Sequence, residues 1–461
     1  MRQILLVFVI FSMVICSCGS KGKKSPGANE SKESQMVKIM TVDPGHFHAA
    51  LVQKTMYEQV SPDVYVFAPA GPDLDQHLAR IESYNSRAVN PTRWNEIVYT
   101  GADFFEEMID KKPGNVVVLS GNNRKKTDYI LRSVSAGFNV LADKPMVISP
   151  EEFPKLEEAF RIAGGKGLLL YDIMTERYEI TTILQKELSL RKEVFGTLTE
   201  GSEKEPAVTK ESVHHFSKIV SGSPLIRPAW FFDVEQQGEG IVDVTTHLVD
   251  LVQWECFPEV ILSKNDVEII SARRWPTIIS GEEFKAVTGL DKFPDYLSKD
   301  LKDGKLNVFA NGEMVYRLKG TFAKVSVEWK YVAPPGGGDT HFSIMRGTNC
   351  DLVIRQTADE KFVPTLYVEN IRGDAAGFRA RLLSVLSTMP YDSLTVDDPG
   401  GGRLRVNIPA KYRVGHEEHF GQVTAKYLDY LKTGSLPEWE VPGMITKYYT
   451  TTEALKRAKQ Q

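Results

Sequence analysis

The 461-residue sequence has few cysteines and no marked excess of charge of either sign. Its four cysteines, at positions 16, 18, 256 and 350, are too few for the disulfide framework of a small secreted scaffold. With 56 basic and 60 acidic residues, the formal net charge is −4, so nothing indicates a nucleic-acid-binding surface. A composition that is 42% hydrophobic and 25% charged excludes a disordered chain, a collagen-like fibre and a multi-span membrane protein.

The first residues resemble a bacterial export signal. An apolar run over residues 4–15 has the length of a signal peptide and ends on the tetrapeptide ICSC, which is similar to a lipobox. We therefore predict a signal peptide over residues 1–17, lipidation at Cys18 and a flexible tether over residues 18–36; the alternative is ordinary cleavage nearby. The protein would then be held in the bacterial cell envelope, periplasmic or outer-membrane, by its lipid anchor only.

From residue 37 onward, short apolar runs alternate with segments of helical spacing. The strand-like runs cover residues 37–42, 63–68, 96–100, 115–120, 138–142 and 167–172. This alternation predicts an α/β fold with an N-terminal Rossmann domain, a doubly wound parallel sheet, over residues 37–176. Later strand-like segments are separated by Gly- and Asn-containing turns, which predict a C-terminal α+β domain with an open, mainly antiparallel sheet over residues 177–461.

The turn after the first strand stands where dinucleotide-binding folds carry G-x-G-x-x-G. In that motif the glycines let the backbone approach a pyrophosphate at a helix N-terminus. The three glycine positions hold Asp43, Gly45 and His48, so only the middle glycine remains, and an ordinary turn before a helix over residues 47–60 is equally compatible. No acidic residue ends the second strand, and Asp73 lies further along, which leaves NAD and NADP both open.

Three further motifs resemble those of the Gfo/Idh/MocA oxidoreductases. Residues 120–123 (SGNN) end one strand, and residues 143–145 (DKP) end the next, where the family has E-K-P. Asp243 and His247 have the family's D-x-x-x-H spacing after a turn with fewer glycines than the family carries. A spacing of four would place both side chains on one helical face.

The resemblance implies a nicotinamide-dependent oxidoreductase that acts on a sugar or glycoside hydroxyl. The implied catalytic residues are Lys144 and Asp243, which orient and polarise the substrate, and His247, which moves the hydroxyl proton. The implied cofactor is tightly bound NAD or NADP, with NAD favoured, at Asp43, Gly45, His46, Phe47, Ser120, Asn122, Asn123, Asp143 and Lys144. A polar segment over residues 214–231 adds side chains suited to sugars. The implied substrate-binding residues are Lys144, Arg177, His215, Lys218, Arg227 and Trp230. No spacing in the sequence demands a metal.

Two alternatives remain open. Some relatives oxidise a sugar transiently, eliminate or hydrolyse, and reduce it again; such a glycosidase or lyase with a recycled cofactor would suit a protein outside the cytoplasmic NAD pool. The other is a non-catalytic sugar-binding lipoprotein, which Asp43 and His48 favour and which Lys144, Asp243 and His247 oppose. The expected partners are a sugar or glycoside and a second copy of the chain through the C-terminal sheet.

Overall fold

The alternating part of the chain forms a six-stranded parallel sheet in a computed structural model, which describes residues 36–460 apart from 221, 222 and 374. Its strands are β1 (Ile39–Val42), β2 (Asp63–Phe67), β3 (Asn95–Tyr99), β4 (Val116–Leu119), β5 (Asn139–Asp143) and β6 (Leu170–Ile173). The helices between them are α1 (His48–Leu51), α2 (Pro72–Ser86), α3 (Phe104–Lys111), α4 (Lys126–Ala136) and α5 (Phe153–Lys166). The strand order is β3-β2-β1-β4-β5-β6. It reverses between β1 and β4, where doubly wound sheets bind ligands beyond the carboxyl ends of their strands.

The remainder of the chain forms a second, mostly antiparallel sheet. Its strands are β7 (Val208–Ser217), β10 (Val267–Ile279), β11 (Leu301–Lys302), β12 (Lys305–Leu318), β13 (Thr321–Val332), β14 (Thr340–Arg346), β15 (Asp351–Arg355), β16 (Thr365–Glu369), β17 (Thr395–Gly400) and β18 (Arg403–Asn407). β8 (Ile219–Val220) and β9 (Ser223–Pro224) form a separate short hairpin. β7 pairs in parallel with β13 and antiparallel with β14, so the sheet is mixed at its centre. The predicted fold class is confirmed.

The later helices pack on both sheets, and the last two return to the first one. They are α6 (Ile180–Ser189), α7 (Val234–Gln237), α8 (Thr245–Cys256), α9 (Gly281–Thr288), α10 (Ala375–Leu386), α11 (His416–Thr433) and α12 (Glu440–Ala458). Phe420 and Tyr427 of α11 and Tyr448 of α12 belong to the hydrophobic core around β1, β4 and β5. Val37–Gln461 forms one unit by its internal contacts, and the predicted domain boundary at residue 176 stays a prediction.

One local prediction is wrong. The helix predicted over residues 47–60 is limited to α1, because the carbonyl of Gln53 accepts a hydrogen bond from Trp94 Nε1 and the chain continues in turns. The central strand β7, which overlaps the start of the polar segment, was not predicted, because its polar residues obscure the strand pattern.

The export signal and Cys18 lie outside the described residues, so their assignment stays a prediction. Within the described part of the chain, no helix combines the length and the apolar character that crossing a bilayer requires.

Candidate active site

A cavity of about 700 Å³ lies beyond the carboxyl ends of β1, β4 and β5. The turns after these strands, the strand β7 and the start of α11 supply its walls. The chain has nine histidines. Seven of them line this cavity: His46, His48, His214, His247, His341, His416 and His419. An imidazole-rich cavity at the switch point of a doubly wound sheet is suited to proton transfer or to metal binding.

Lys144 and Asp243 form an ion pair in this cavity. Lys144 directly follows β5, and its Nζ donates to Asp243 Oδ1 at 2.7 Å. The other oxygen of Asp243 accepts from Nε2 of Gln237 at 3.1 Å. The two charged side chains are only 11% and 6% exposed, so the ammonium group is held in one place. The structure thus brings together two of the three predicted catalytic residues.

His247 lies in the same cavity but is not paired with Asp243. α8 begins at Thr245, so Asp243 stands in the preceding turn and the predicted common helical face is wrong. Both carboxylate oxygens of Asp243 are occupied by Lys144 and Gln237. Burial, reinforced by the charge of Lys144, lowers the pKa of His247 well below its ordinary value. Its Nδ1 has no hydrogen-bond partner among the described residues, so a neutral imidazole is available for proton transfer.

The turn after β1 is in close contact with three other segments. A Cβ atom on Gly45 would lie 2.9 Å from Asp73 Oδ2 and 3.1 Å from Trp230 Cζ2. Trp230 Nε1 donates to the same Asp73 oxygen at 2.8 Å. A Cβ atom on Gly121, after β4, would lie 2.1 Å from the carbonyl oxygen of Asp43. Glycine is therefore required at position 121, where the contact is with backbone, whereas Gly45 contacts the side chains of Asp73 and Trp230. The structure places Trp230 against this turn, and its role as a substrate contact stays a prediction.

The remaining residues predicted to bind the cofactor divide into two groups. Phe47 and Asn123 line the cavity, and Asn123 Nδ2 donates to the carbonyl of Gln237 at 2.7 Å. Asp43 and Asn122 do not line it: the carboxylate of Asp43 accepts from the Tyr129 hydroxyl at 3.3 Å, and the Asn122 amide donates to Gln236 at 2.7 Å. These two side chains are used to fix the turns, which corrects their predicted role.

His46, His48 and Asp143 form a compact group at the cavity wall. His48 Nδ1 donates to Asp143 Oδ2 at 2.9 Å, the Ser120 hydroxyl donates to the same oxygen at 2.9 Å, and His46 Nδ1 lies 3.8 Å from it. The His46 and His48 ring centroids are 4.0 Å apart. Burial, together with neighbouring positive charge, lowers the pKa of both imidazoles well below the ordinary value, so both are neutral near pH 7.

Asp339, which also lines the cavity, binds polar residues at the end of β7 and just after it. Its carboxylate accepts from His214 Nδ1 at 3.1 Å, from the backbone N–H of His215 at 3.1 Å and from Lys218. Burial alone would raise the pKa of Asp339, but His214, His215 and Lys218 outweigh it and lower that pKa. His214 and Lys218 line the cavity, whereas His215 is 2% exposed and does not. The role of His215 as a substrate contact stays a prediction.

Two arginines predicted to bind substrate have structural partners. Arg177 donates to both oxygens of Asp250 at 2.6 and 2.7 Å and to Glu440 at 3.0 Å, away from the cavity lining. Two buried carboxylates hold this cation, so the structure does not place Arg177 with the other predicted substrate residues. Arg227 does line the cavity, but its guanidinium donates to the carbonyls of Phe216 and His215 at 2.7 and 2.9 Å.

Several cavity residues were not predicted from the sequence. Glu176, the neighbour of the predicted Arg177, lines the cavity, and burial next to Glu179 raises its pKa to about 7. His416 and His419 at the start of α11 also line it. The sequence signal that could have identified these two residues is their H-x-x-H spacing in a chain with few histidines.

Comparisons with known proteins agree with this fold. The family model described as "Putative oxidoreductase C terminal domain" matches residues 184–459. The chain belongs to this family. A crystal structure described as a putative oxidoreductase from Parabacteroides merdae ATCC 43184 is 57% identical, covers 92% of this chain and 98% of its own, and has a TM-score of 0.90. Among curated protein sequences, none matches.

More distant solved structures share the fold of this oxidoreductase. Levoglucosan dehydrogenase in complex with NADH and levoglucosan has a TM-score of 0.59 at 13% identity, covering 92% of this chain and 98% of its own. A 3-ketoreductase from Actinomadura kijaniata in complex with NADP and TDP-benzene has a TM-score of 0.52 at 11% identity, covering 91% and 96%. The resemblance to the Gfo/Idh/MocA oxidoreductases is confirmed.

Proposed function

We propose that this oxidoreductase uses a nicotinamide dinucleotide to oxidise or reduce a hydroxyl-bearing carbon of a sugar or glycoside. The observation that supports this most is the Lys144–Asp243 ion pair in one cavity with the neutral imidazole of His247. The structures of levoglucosan dehydrogenase with NADH and of the 3-ketoreductase with NADP add support, because both proteins have the same fold.

The residues of the first turn fit the ribose end of such a cofactor. The Asp73 carboxylate lies against Gly45, where even a Cβ atom would come within 2.9 Å of its Oδ2, and an acidic side chain near the glycine turn is the usual partner of a ribose diol. The backbone N–H of His46 donates to Ser120, and that of His48 points to His46 Nδ1. A pyrophosphate would therefore find fewer free N–H groups here than in a G-x-G-x-x-G turn.

When bound, the nicotinamide ring supplies the hydride acceptor or donor. His247 can accept the hydroxyl proton, because burial lowers its pKa and so keeps the ring neutral, and because its Nδ1 has no partner among the described residues. The ammonium of Lys144 stabilises negative charge that develops on the substrate oxygen. Asp243 and Gln237 hold that ammonium in position through the 2.7 and 3.1 Å hydrogen bonds.

The charge of Asp73 supports NAD over NADP. A carboxylate beside Gly45 accepts from a free 2′-hydroxyl but repels a 2′-phosphate.

We expect purified protein, on gentle denaturation, to release NAD or NADH that mass spectrometry identifies. Asp73→Asn retains an acceptor for Trp230 and removes the charge, so its preference for NAD over NADP should fall about tenfold, or about 1.4 kcal/mol. If neither NAD nor NADP copurifies with the protein, and neither binds on titration, the proposed function is refuted.

Glu176 favours a second candidate, transient oxidation followed by elimination or hydrolysis. Because its pKa is raised to about 7, the carboxyl is partly protonated at neutral pH and can donate a proton to a leaving glycosidic oxygen. We expect Glu176→Gln to abolish release of the leaving group from a glycoside while reduction of the cofactor continues. Equal release by wild type and variant would exclude this role.

We also propose that lipidation at Cys18 anchors the enzyme in the cell envelope. The support is the apolar run over residues 4–15, which ends on a lipobox-like tetrapeptide. Association of two copies through the second sheet remains a proposal that analytical ultracentrifugation of the purified protein would test.

A further inference from the structure

We propose that His46, His48 and Asp143 bind a divalent first-row transition-metal ion at the wall of the cavity. The three side chains each offer a ligand atom, and these atoms all lie within 4.8 Å of one another. This inference goes beyond the proposed redox function and does not depend on it. It gives a metal-binding role to the two histidines in the turn after β1, where dinucleotide-binding folds carry a glycine motif.

The distances are close to those of a coordination sphere. Zn²⁺ bonds of about 2.0–2.1 Å in tetrahedral geometry place neighbouring ligand atoms about 3.3 Å apart. His48 Nδ1 and Asp143 Oδ2 are 2.9 Å apart, and His46 Nδ1 and the same oxygen are 3.8 Å apart. Shifts of about half an ångström would therefore bring each of these two contacts to that spacing, and all three ligand atoms lie within 4.8 Å of one another. To bind the metal, His46 Nδ1 would give up the hydrogen bond that it accepts from the backbone N–H of His48 at 3.3 Å.

The surrounding hydrogen bonds suit metal binding. The Ser120 hydroxyl donates to Asp143 Oδ2 at 2.9 Å, and Lys126 Nζ donates to the Asp143 backbone carbonyl at 3.0 Å. A ligating carboxylate held by such outer partners is typical of metal sites.

The ligand set indicates the kind of metal and where its open positions lie. Two imidazoles and one carboxylate leave at least one position free on a four-coordinate ion, and imidazole suits Zn²⁺, Fe²⁺, Ni²⁺ and Cu²⁺ better than Mg²⁺ or Ca²⁺. All three residues line the cavity that contains Lys144 and His247. The free position is therefore available to an oxygen of a molecule bound in that cavity.

Metal titration of the full chain in detergent tests the site. After removal of metal with a chelator, we expect Co²⁺ to bind with one equivalent and produce a visible absorption band, and Zn²⁺ to displace it. Loss of outer partners costs metal sites 10–100-fold in affinity, so His46→Asn and Asp143→Asn, which remove ligands, should each lose at least about 100-fold. The matched control is His419→Asn, which changes another cavity histidine outside the group and should bind within about twofold of wild type.

The readouts separate failure of the metal site from failure of the proposed function. Zn²⁺ should also raise the melting temperature of the wild type but not that of His46→Asn, which checks the fold of the variant at the same time. Co²⁺ affinity that is equal in the wild type and both ligand variants refutes the site, as does no binding at all. The nicotinamide dinucleotide is quantified on the same samples. Protein that binds dinucleotide but no metal refutes only the metal site. Protein that binds metal but no dinucleotide refutes only the redox proposal.

Discussion

Replacing His77 is expected to remove one definable contribution to the acid sensitivity of the protein. His77 lies in α2, is 4% exposed, and neither ring nitrogen has a hydrogen-bond partner among the described residues. Burial, with a smaller contribution from Arg80, lowers its pKa from 6.5 to about 4. The folded protein therefore keeps this imidazole neutral in a range of pH where the unfolded chain protonates it.

The sign and the magnitude follow from proton linkage. A group whose pKa is lower in the folded state contributes stability that is complete above the unfolded pKa and is lost as pH falls toward the folded pKa. For His77 this window runs from 6.5 down to about 4. Between pH 8 and pH 5 the wild type should lose about 2 kcal/mol of unfolding free energy through this residue alone.

Two substitutions separate the proton effect from the effect of burial. His77→Leu removes both the titration and two unpaired polar atoms, so it should stabilise the protein by about 1–3 kcal/mol at pH 8 and by about 2 kcal/mol more at pH 5. His77→Gln removes only the titration, so its gain should be confined to acid. Urea unfolding followed by tryptophan fluorescence at pH 8, 6 and 5 measures both. A difference between wild type and His77→Leu that is equal at pH 8 and pH 5 would refute the reasoning.

Three further predictions concern the site and the anchor. His247→Ala should lower turnover about 10²–10⁴-fold, measured as reduced-nicotinamide absorbance with a glycoside panel, while dinucleotide binding persists; an unchanged rate would make His247 structural. Lys144→Met should lower kcat about 10²–10³-fold, because charge stabilisation of the substrate oxygen is lost, and retention of wild-type kcat would contradict that role. Cys18→Ala should leave the precursor unprocessed and unlipidated in membrane fractions of the producing cells, whereas normal maturation and lipid labelling would rule out the lipobox.

The first sheet could be predicted from the sequence because of how its strands are buried. Strands such as β1 and β4 are buried at every residue, so they are continuous apolar runs that stand out between amphipathic segments. β7 could not be recognised, since its polar side chains serve buried networks: Lys210 Nζ donates to Glu255 at 2.8 Å, and His214 donates to Asp339. Such a strand is stabilised by partners far along the chain, and these partners cannot be identified from the local sequence pattern.

The site residues that could be predicted are those that belong to a short sequence motif. Lys144 and Asp243 were found because each follows a recognisable turn or strand, although their mutual contact needed the fold. The structure does not place Arg177 and His215 at the cavity lining, because the direction of a side chain depends on neighbours far along the chain. Arg177 is one residue from Glu176, which does face the cavity.

The return of α11 and α12 to the first sheet has a consequence for the order of folding. Tyr448 donates to Asp172 at 2.9 Å across 276 residues, and Tyr427 donates to the carbonyl of Leu169. The core of the first sheet therefore cannot close until the end of the chain has been synthesised, and contacts of this separation slow folding. The amino-terminal sheet therefore acquires its final cover only when the last two helices have emerged.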